Sequence, residues 1–589
     1  MNKLARALFV LWLAAIVFAI AYPTLNLPYI SDDFEHGQLV AQIRAGLQPG
    51  SHLITVPFHG QTLVLLRLIF WLGTMAGHMS LAWVRFAICL VHIAAAIGCA
   101  MLCARWTGSR RAAFFAGTLY AGALGFINEQ VWWPSSAIFC LGAAFFILAM
   151  TAIEYGALGW AIALLIVAAL GMNGVLIPAL ILPVYCWILG RRRDAKILLG
   201  VIAALLALAF WQQTRTHDRE PIEFSLRALE LGAWLIGTAP FRFFAGFTTL
   251  AVPGFRTILH WSAVAWLPFA ASAWMLRKHH GRALLLAWLP AVIISLMVGF
   301  TRANYHDRYG PGVLYVADRY YYFFLLPLVV QLILLATAVR LPRWIAPAVL
   351  AAALIGSAVH FRANITLGHF DSSARAIAQG RAIVQTIQSS SVRPLVLSDA
   401  PIYIDGALKN TMSLAFLIYA EYPRGISGVQ MIRGRLDPQQ AAVQDSLLRP
   451  WLKPLSSRVD FKARSYEEAL ISGFSWWEAP FRWMGPRGEL RLIAAPGPLV
   501  ISAYAPVDQL RRPIELTVSV NGVAIGQLAI SNPGLIEYSL PVSGITLGTT
   551  ADIVLTSDFV WHARDIFPDS LDERDLSIAI SSIGFAMRP

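Results

Sequence analysis

The sequence predicts an α-helical polytopic membrane protein of about eleven spans that carries an extracytoplasmic α/β connector and a β-sandwich at its C-terminal end. Three observations predict it. First, 57% of the 589 residues are hydrophobic and only 13% are charged, against about 25% charged in an ordinary soluble chain, and mean hydropathy is +0.61. Second, up to about residue 360 apolar runs recur at roughly the 17–25 residues that cross a hydrocarbon core. Third, the last part replaces those runs with short alternating segments separated by turn residues.

The apolar runs lie at 4–22, 82–104, 112–127, 136–153, 158–170, 174–189, 196–212, 259–276, 283–300, 320–340 and 344–361. With the N-terminus inside, one set of loops collects Lys3, Arg6, Arg105, Arg110, Arg111, Arg191, Arg192, Arg193, Lys196, Arg277, Lys278, Arg282, Arg340 and Arg343. The short loops 128–135 and 172–173 on the other side hold no Lys or Arg. That bias orients the chain, and an odd number of spans leaves the tail outside. The first run lacks a small-residue cleavage site and reads as a retained signal anchor. Residues 61–77 contain Arg67 and break the alternation if they cross, so they read as an interfacial helix within a long first outer loop, 22–80.

The net charge of +13 is thereby explained by topology. No basic stripe with interleaved aromatics points to nucleic acid. All five cysteines (Cys89, Cys99, Cys103, Cys140, Cys186) lie inside apolar runs, which rules out a disulfide framework in the tail.

Directly after the first run comes Ser31-Asp32-Asp33-Phe34-Glu35-His36. One reading is a helix start, with Ser31 as N-cap and three acids favouring the helix dipole. The other is a base or metal ligand at a cavity mouth, since a carboxylate held near lipid loses solvation and gains proton affinity. Both readings are compatible.

Further motifs follow in order on the same side. They are His52…Pro57 before the interfacial helix, Asn128-Glu129-Gln130-Val131-Trp132-Trp133-Pro134 in the second outer loop, and Asp318-Arg319-Tyr320 at a late span. Over roughly residues 1–362 this order resembles the GT-C superfamily of membrane glycosyltransferases, which includes protein O-mannosyltransferases and aminoarabinose transferases. The resemblance implies that Asp32 or Asp33, with Glu35 third, deprotonates an acceptor, and that basic residues hold the phosphate of a lipid-linked donor. It also leaves room for a divalent cation, magnesium or manganese, on Asp32 and Asp33, although no metal-ligand spacing assigns one.

Arg302, Arg308 and Arg319 sit in one outer loop against the positive-inside preference. Arg319 heads a span, where a guanidinium could clamp two phosphate oxygens or simply pair with Asp318 beside interfacial tyrosines. Arg302, Arg308, His52 and His59 are alternates for the phosphate. Glu129, Trp132 and Trp133 are candidates for acceptor or sugar binding, with interfacial anchoring the plainer role of the tryptophans.

Beyond the spans, 363–463 reads as the α/β connector, with a helix at 374–387 and a strand at 394–398. Residues 464–589 read as the sandwich. Ile514, Leu516, Val518 and Val520 alternate with polar residues, and Asn521-Gly522 supplies a two-residue turn into 523–530. More strands are expected at 489–493, 499–504, 536–540, 553–556 and 576–583. Phe481-Arg482-Trp483 and Asp572-Glu573-Arg574-Asp575-Leu576 add a likeness to jelly-roll, carbohydrate-binding-like modules. Phe474, Trp476, Trp477 and Trp483 are there for sugar stacking or for the core.

The function expected is an inverting glycosyltransferase of a bacterial cytoplasmic membrane. Its partners are a polyprenyl-phosphate sugar donor, a glycan, lipid or protein acceptor, and membrane lipids. The alternatives are an O-antigen polymerase or ligase, or a non-catalytic polysaccharide assembly or transport protein; transport lacks support, because matched pairs of broken spans are missing.

Overall fold

The computed structural model describes residues 3–29, 32–55, 63–213, 224–247, 255–309, 318–339, 344–365, 369–399, 401–403, 411–432, 436–448, 456–461, 470–474, 480–566 and 574–586. Two compact units are present: Met1–Asp399 with Ala415–Leu436, and Ala400–Leu414 with Asp437–Pro589.

The first unit is mostly helical, and the chain is a multi-pass membrane protein. Among the described residues seven helical stretches are long and apolar enough to cross a membrane: Lys3–Thr24, Ala82–Thr107, Pro134–Glu154, Arg192–Trp211, Trp261–Arg302, Arg319–Val339 and Ile345–Ala363. The expected total of about eleven counted apolar runs, and each of those runs is mainly helical over its described residues. Five do not make separate long helices. Arg110–Gly122, Leu158–Gly171 and Asn173–Ile188 are short. The runs 259–276 and 283–300 share one continuous stretch, Phe255–Tyr309, which bends at His280, where φ is −125°. Sequence hydropathy counts apolar stretches, whereas length at 1.5 Å per residue decides what can span.

Helix ends follow local chemistry. Ala82–Thr107 stops at Gly108 in the left-handed region (φ 67°), which costs glycine nothing. Ser109 then caps Arg110–Gly122 by accepting from Ala112 N at 3.2 Å. Between two of the long helices lies another, Leu226–Ala245, that buries Leu231, Leu235, Ala239 and Phe243 at every fourth position. It packs so closely on the helix Phe255–Tyr309 that a Cβ on Gly299 would stand 2.2 Å from the Ala228 carbonyl oxygen.

The expected interfacial segment is a helix, Val64–Gly73, extended by the turn Thr74–Ala76. Part of the connector belongs to this same unit. It contributes the helix His369–Ser389, the parallel pair Leu395–Ser398 and Val429–Ile432, and the helix Leu414–Glu421; Arg381 in the first helix donates to the His78 carbonyl, and the last helix packs on Tyr29 and Phe34. Phe416 meets Tyr29 edge-on at 5.3 Å and Phe34 at 5.9 Å. Gly37 lies beneath, where a Cβ would come 2.7 Å from the Phe416 ring. His78 N and Met79 N donate to Glu421 O and Ala420 O at 3.0 and 2.9 Å.

The second unit is β-rich. Nine strands form one sheet, centred on the long strand Arg482–Ile493, which pairs through 487–493 with Thr550–Ser557 and through 482–483 with Ala579–Phe585. Changing partners along its length lets the two halves of the sheet enclose one core of Leu490, Leu516, Val518, Ile553, Ile501, Ile580 and Ile583. Asn521 (φ 51°) and Gly522 (φ 81°) make the expected turn with both residues left-handed. Strand Arg458–Asp460 also pairs with Ala579–Phe585, and it buries Val459.

Candidate functional site

Three sequence motifs far apart in the chain meet in the helical unit. Asp33 opens the helix Asp33–Arg44 with Asp32 at the capping position, making no side-chain capping bond; the expected cap, Ser31, lies outside the described residues. Asp33 has no exposed surface. Its Oδ1 accepts from Ser135 N at 2.9 Å and from Ser135 Oγ at 2.5 Å, so the loop that follows the first helix is tied to the loop that carries Glu129 and Trp133. A carboxylate shut away from water needs such donors. Glu35 follows, half-buried, in the first turn.

The second motif, in turn, meets the third. Glu129, 7% exposed, accepts from Arg319 Nη1 at 2.6 Å through Oε1 and from Arg319 N at 3.0 Å through Oε2. The guanidinium lies 4.9 Å from the ring centres of both Trp133 and Tyr320. Trp133 stacks with Trp132, whose Nε1 donates to Asn128 Oδ1 at 2.8 Å. Asp32 is close enough for its charge to act on Arg319, and Tyr320 interacts with the side chains of Arg319 and Arg302. Asp32, Asp33, Glu129, Trp132, Trp133, Arg302 and Arg319 therefore belong to one neighbourhood, with a carboxylate and a guanidinium side by side. Arg319 is thus tied to Glu129 from another loop.

Other expected residues fall elsewhere. His52 begins the short helix His52–Thr55, and its carbonyl accepts from Arg67 Nη1 at 3.4 Å. His59 lies outside the described residues, as do the side chains of Arg308 and Asp318. Among the described residues no three His, Cys, Asp or Glu groups gather as a metal site, and Asp33 Oδ1 is already engaged by Ser135.

Two residues that sequence reasoning passed over stand at the centre. Arg85, fully buried, donates to the carbonyls of Leu27, Pro28 (2.8 Å) and Trp132 (3.3 Å). Tyr29 is also fully buried. Burial pushes its phenol pKa up, the Asp33 charge raises it further, and Arg44 and Arg85 oppose both. The available signal was an arginine at the fourth position of an apolar helix, where a charge needs an internal reason. Deeper on the same face, seven residues on, His92 Nδ1 meets the Tyr322 hydroxyl at 2.8 Å.

No protein-family model matches the chain, and no curated protein matches it significantly. Among solved structures it is similar to ArnT from Cupriavidus metallidurans in the apo state, at 16% identity over 76% of this chain and 90% of that chain, with a TM-score of 0.44. It is similar also to the same protein bound to undecaprenyl phosphate, at 15% identity over 77% of this chain and 90% of that one, again with a TM-score of 0.44.

Proposed function

We propose that the chain is a membrane glycosyltransferase that moves a sugar from a polyprenyl-phosphate donor to an acceptor hydroxyl outside a bacterial cytoplasmic membrane, with inversion. The observation that carries this reading is the Glu129–Arg319 pair, joined at 2.6 Å from two separate segments, with the charge of Asp32 from a third acting on Arg319. A carboxylate beside a fixed guanidinium matches the two charges that develop in such a transfer.

In this reading Asp32, half-buried, takes the proton of the acceptor hydroxyl as its oxygen attacks the anomeric carbon. The bond from that carbon to the phosphate oxygen breaks, and the polyprenyl phosphate leaves with the electron pair. Arg319 stabilises the added negative charge, and Glu129 holds the guanidinium in one orientation. Asp33, engaged twice by Ser135, fixes the start of the helix that presents Asp32. The N-terminus lies inside, and the β-rich unit lies outside as a carbohydrate-binding-like accessory. Residues 1–362, 363–463 and 464–589 serve as catalytic, connecting and accessory parts.

The test is Asp32→Asn, which keeps the shape but cannot take up a full proton. Turnover should fall by about 10²–10⁴-fold while polyprenyl phosphate still binds. Unchanged sugar transfer by this variant removes Asp32 as the base.

A further inference from the structure

We infer that Arg85 is the positioning residue of the site: it sets the first and second outer loops against each other, so that Asp32, Asp33 and Ser135 come into register. The inference rests on the glycosyltransferase reading only for its effect on turnover.

Arg85 belongs to the first turn of the helix Ala82–Thr107 and has no exposed surface. Burying a guanidinium is costly unless its donors are satisfied. Its Nη1 and Nη2 donate to backbone carbonyls from two loops, Leu27 and Pro28 from the first and Trp132 from the second, while Nε is buried without a partner among the described residues. Nη2 alone bridges Pro28 and Trp132. A carbonyl partner fixes the path of the chain rather than a side chain, so Arg85 sets where each loop runs. Those loops carry Asp33 and Ser135, joined at 2.5 and 2.9 Å, and Asp33 is near enough for its charge to act on Arg85. Trp132 is followed by Trp133, over which Arg319 stacks. One buried side chain therefore links the carboxylate loop to the loop that orients the guanidinium. Lysine offers a single ammonium point and cannot present a planar fork to three carbonyls.

The experiment compares full-length wild type, Arg85→Lys and Arg85→Met in lipid nanodiscs by amide hydrogen exchange. Turnover is read as release of undecaprenyl phosphate from a panel of undecaprenyl-phosphate-linked hexoses and pentoses, with an envelope extract as acceptor. Arg85→Met should speed exchange about tenfold or more in 25–29, 32–36 and 128–136, leaving 322–339 and 480–566 unchanged, with Arg85→Lys intermediate. Turnover should fall about tenfold or more while KM for the donor stays within about twofold. Unchanged exchange in those loops overturns the inference whatever the activity does. Faster exchange throughout the chain in both variants also overturns it, since Arg85 would then hold up the whole fold. Loosened loops in a protein whose wild type releases no undecaprenyl phosphate keep the positioning role and overturn the glycosyltransferase reading instead.

Discussion

In the β-rich unit Arg491 pairs with Asp552 at 2.5 Å and Arg512 with Asp558 at 2.7 Å, and every one of these side chains is more than a third exposed. In the helical unit Asp33 and Arg85 have no exposed surface, and the Glu129–Arg319 pair keeps only 10% and 24% of its side chains exposed. Water already solvates the first set, so those pairs contribute little. The second set has given up its water, and each member depends on donors and acceptors supplied by another loop. Where a charge has been buried at such cost and held from a distant segment, the arrangement is specified, and that marks the place to look for chemistry.

Several substitutions break or sharpen this contrast. The largest effect is expected from Asp32→Asn, which should lower sugar transfer by about 10²–10⁴-fold. Asp33→Asn should do much less, because an amide oxygen can still accept from Ser135. Equal losses from the two variants, in a transfer assay, would erase the distinction between base and anchor.

Next in size is Glu129→Gln, which takes the negative charge from beside Arg319. A cost of about 1.5–3 kcal/mol in thermal or denaturant unfolding is expected. Arg491→Ala in the β-rich unit should cost under about 1 kcal/mol by the same measurement. Equal costs would show that burial does not separate the two regions.

A third comparison concerns the β-rich unit as a free-standing piece. Residues 437–589 should give a folded, β-rich circular dichroism spectrum with a cooperative melt, because their core is their own. A piece starting at 464 lacks the strand Arg458–Asp460 and the buried side chains of Val459 and Phe461, and should melt at lower temperature. Identical melts would make that strand dispensable.

The smallest effect is expected from Tyr29→Phe. Among the described residues the Tyr29 hydroxyl is buried without a hydrogen-bond partner, so its loss should lower stability by no more than about 0.5 kcal/mol at neutral pH. Its folded-state pKa lies above the ordinary value. The unfolded chain therefore ionises first, and wild type should lose stability as pH rises above about 10, while the Phe variant is spared this loss. Parallel pH profiles for the two proteins would contradict the burial of this phenol.

The sequence by itself determined the helical runs, the loop charges, the Asn521-Gly522 hairpin and the acidic cluster after the first helix. Each of these is written in local periodicity or in a turn requirement that only certain residues meet. The order of the loop motifs also points to Asp32, Glu129 and Arg319. Tertiary structure decided which of them touch. That Glu129 engages Arg319, that Asp33 is held by Ser135, and that Arg85 reaches carbonyls in two loops depend on how helices far apart in sequence pack. The same packing joins Leu414–Glu421 to the first outer loop through Phe416. Spacing along a chain records periodicity, which is local; the pairing of buried charges follows from which surfaces exclude water together, and that is a property of the folded molecule alone.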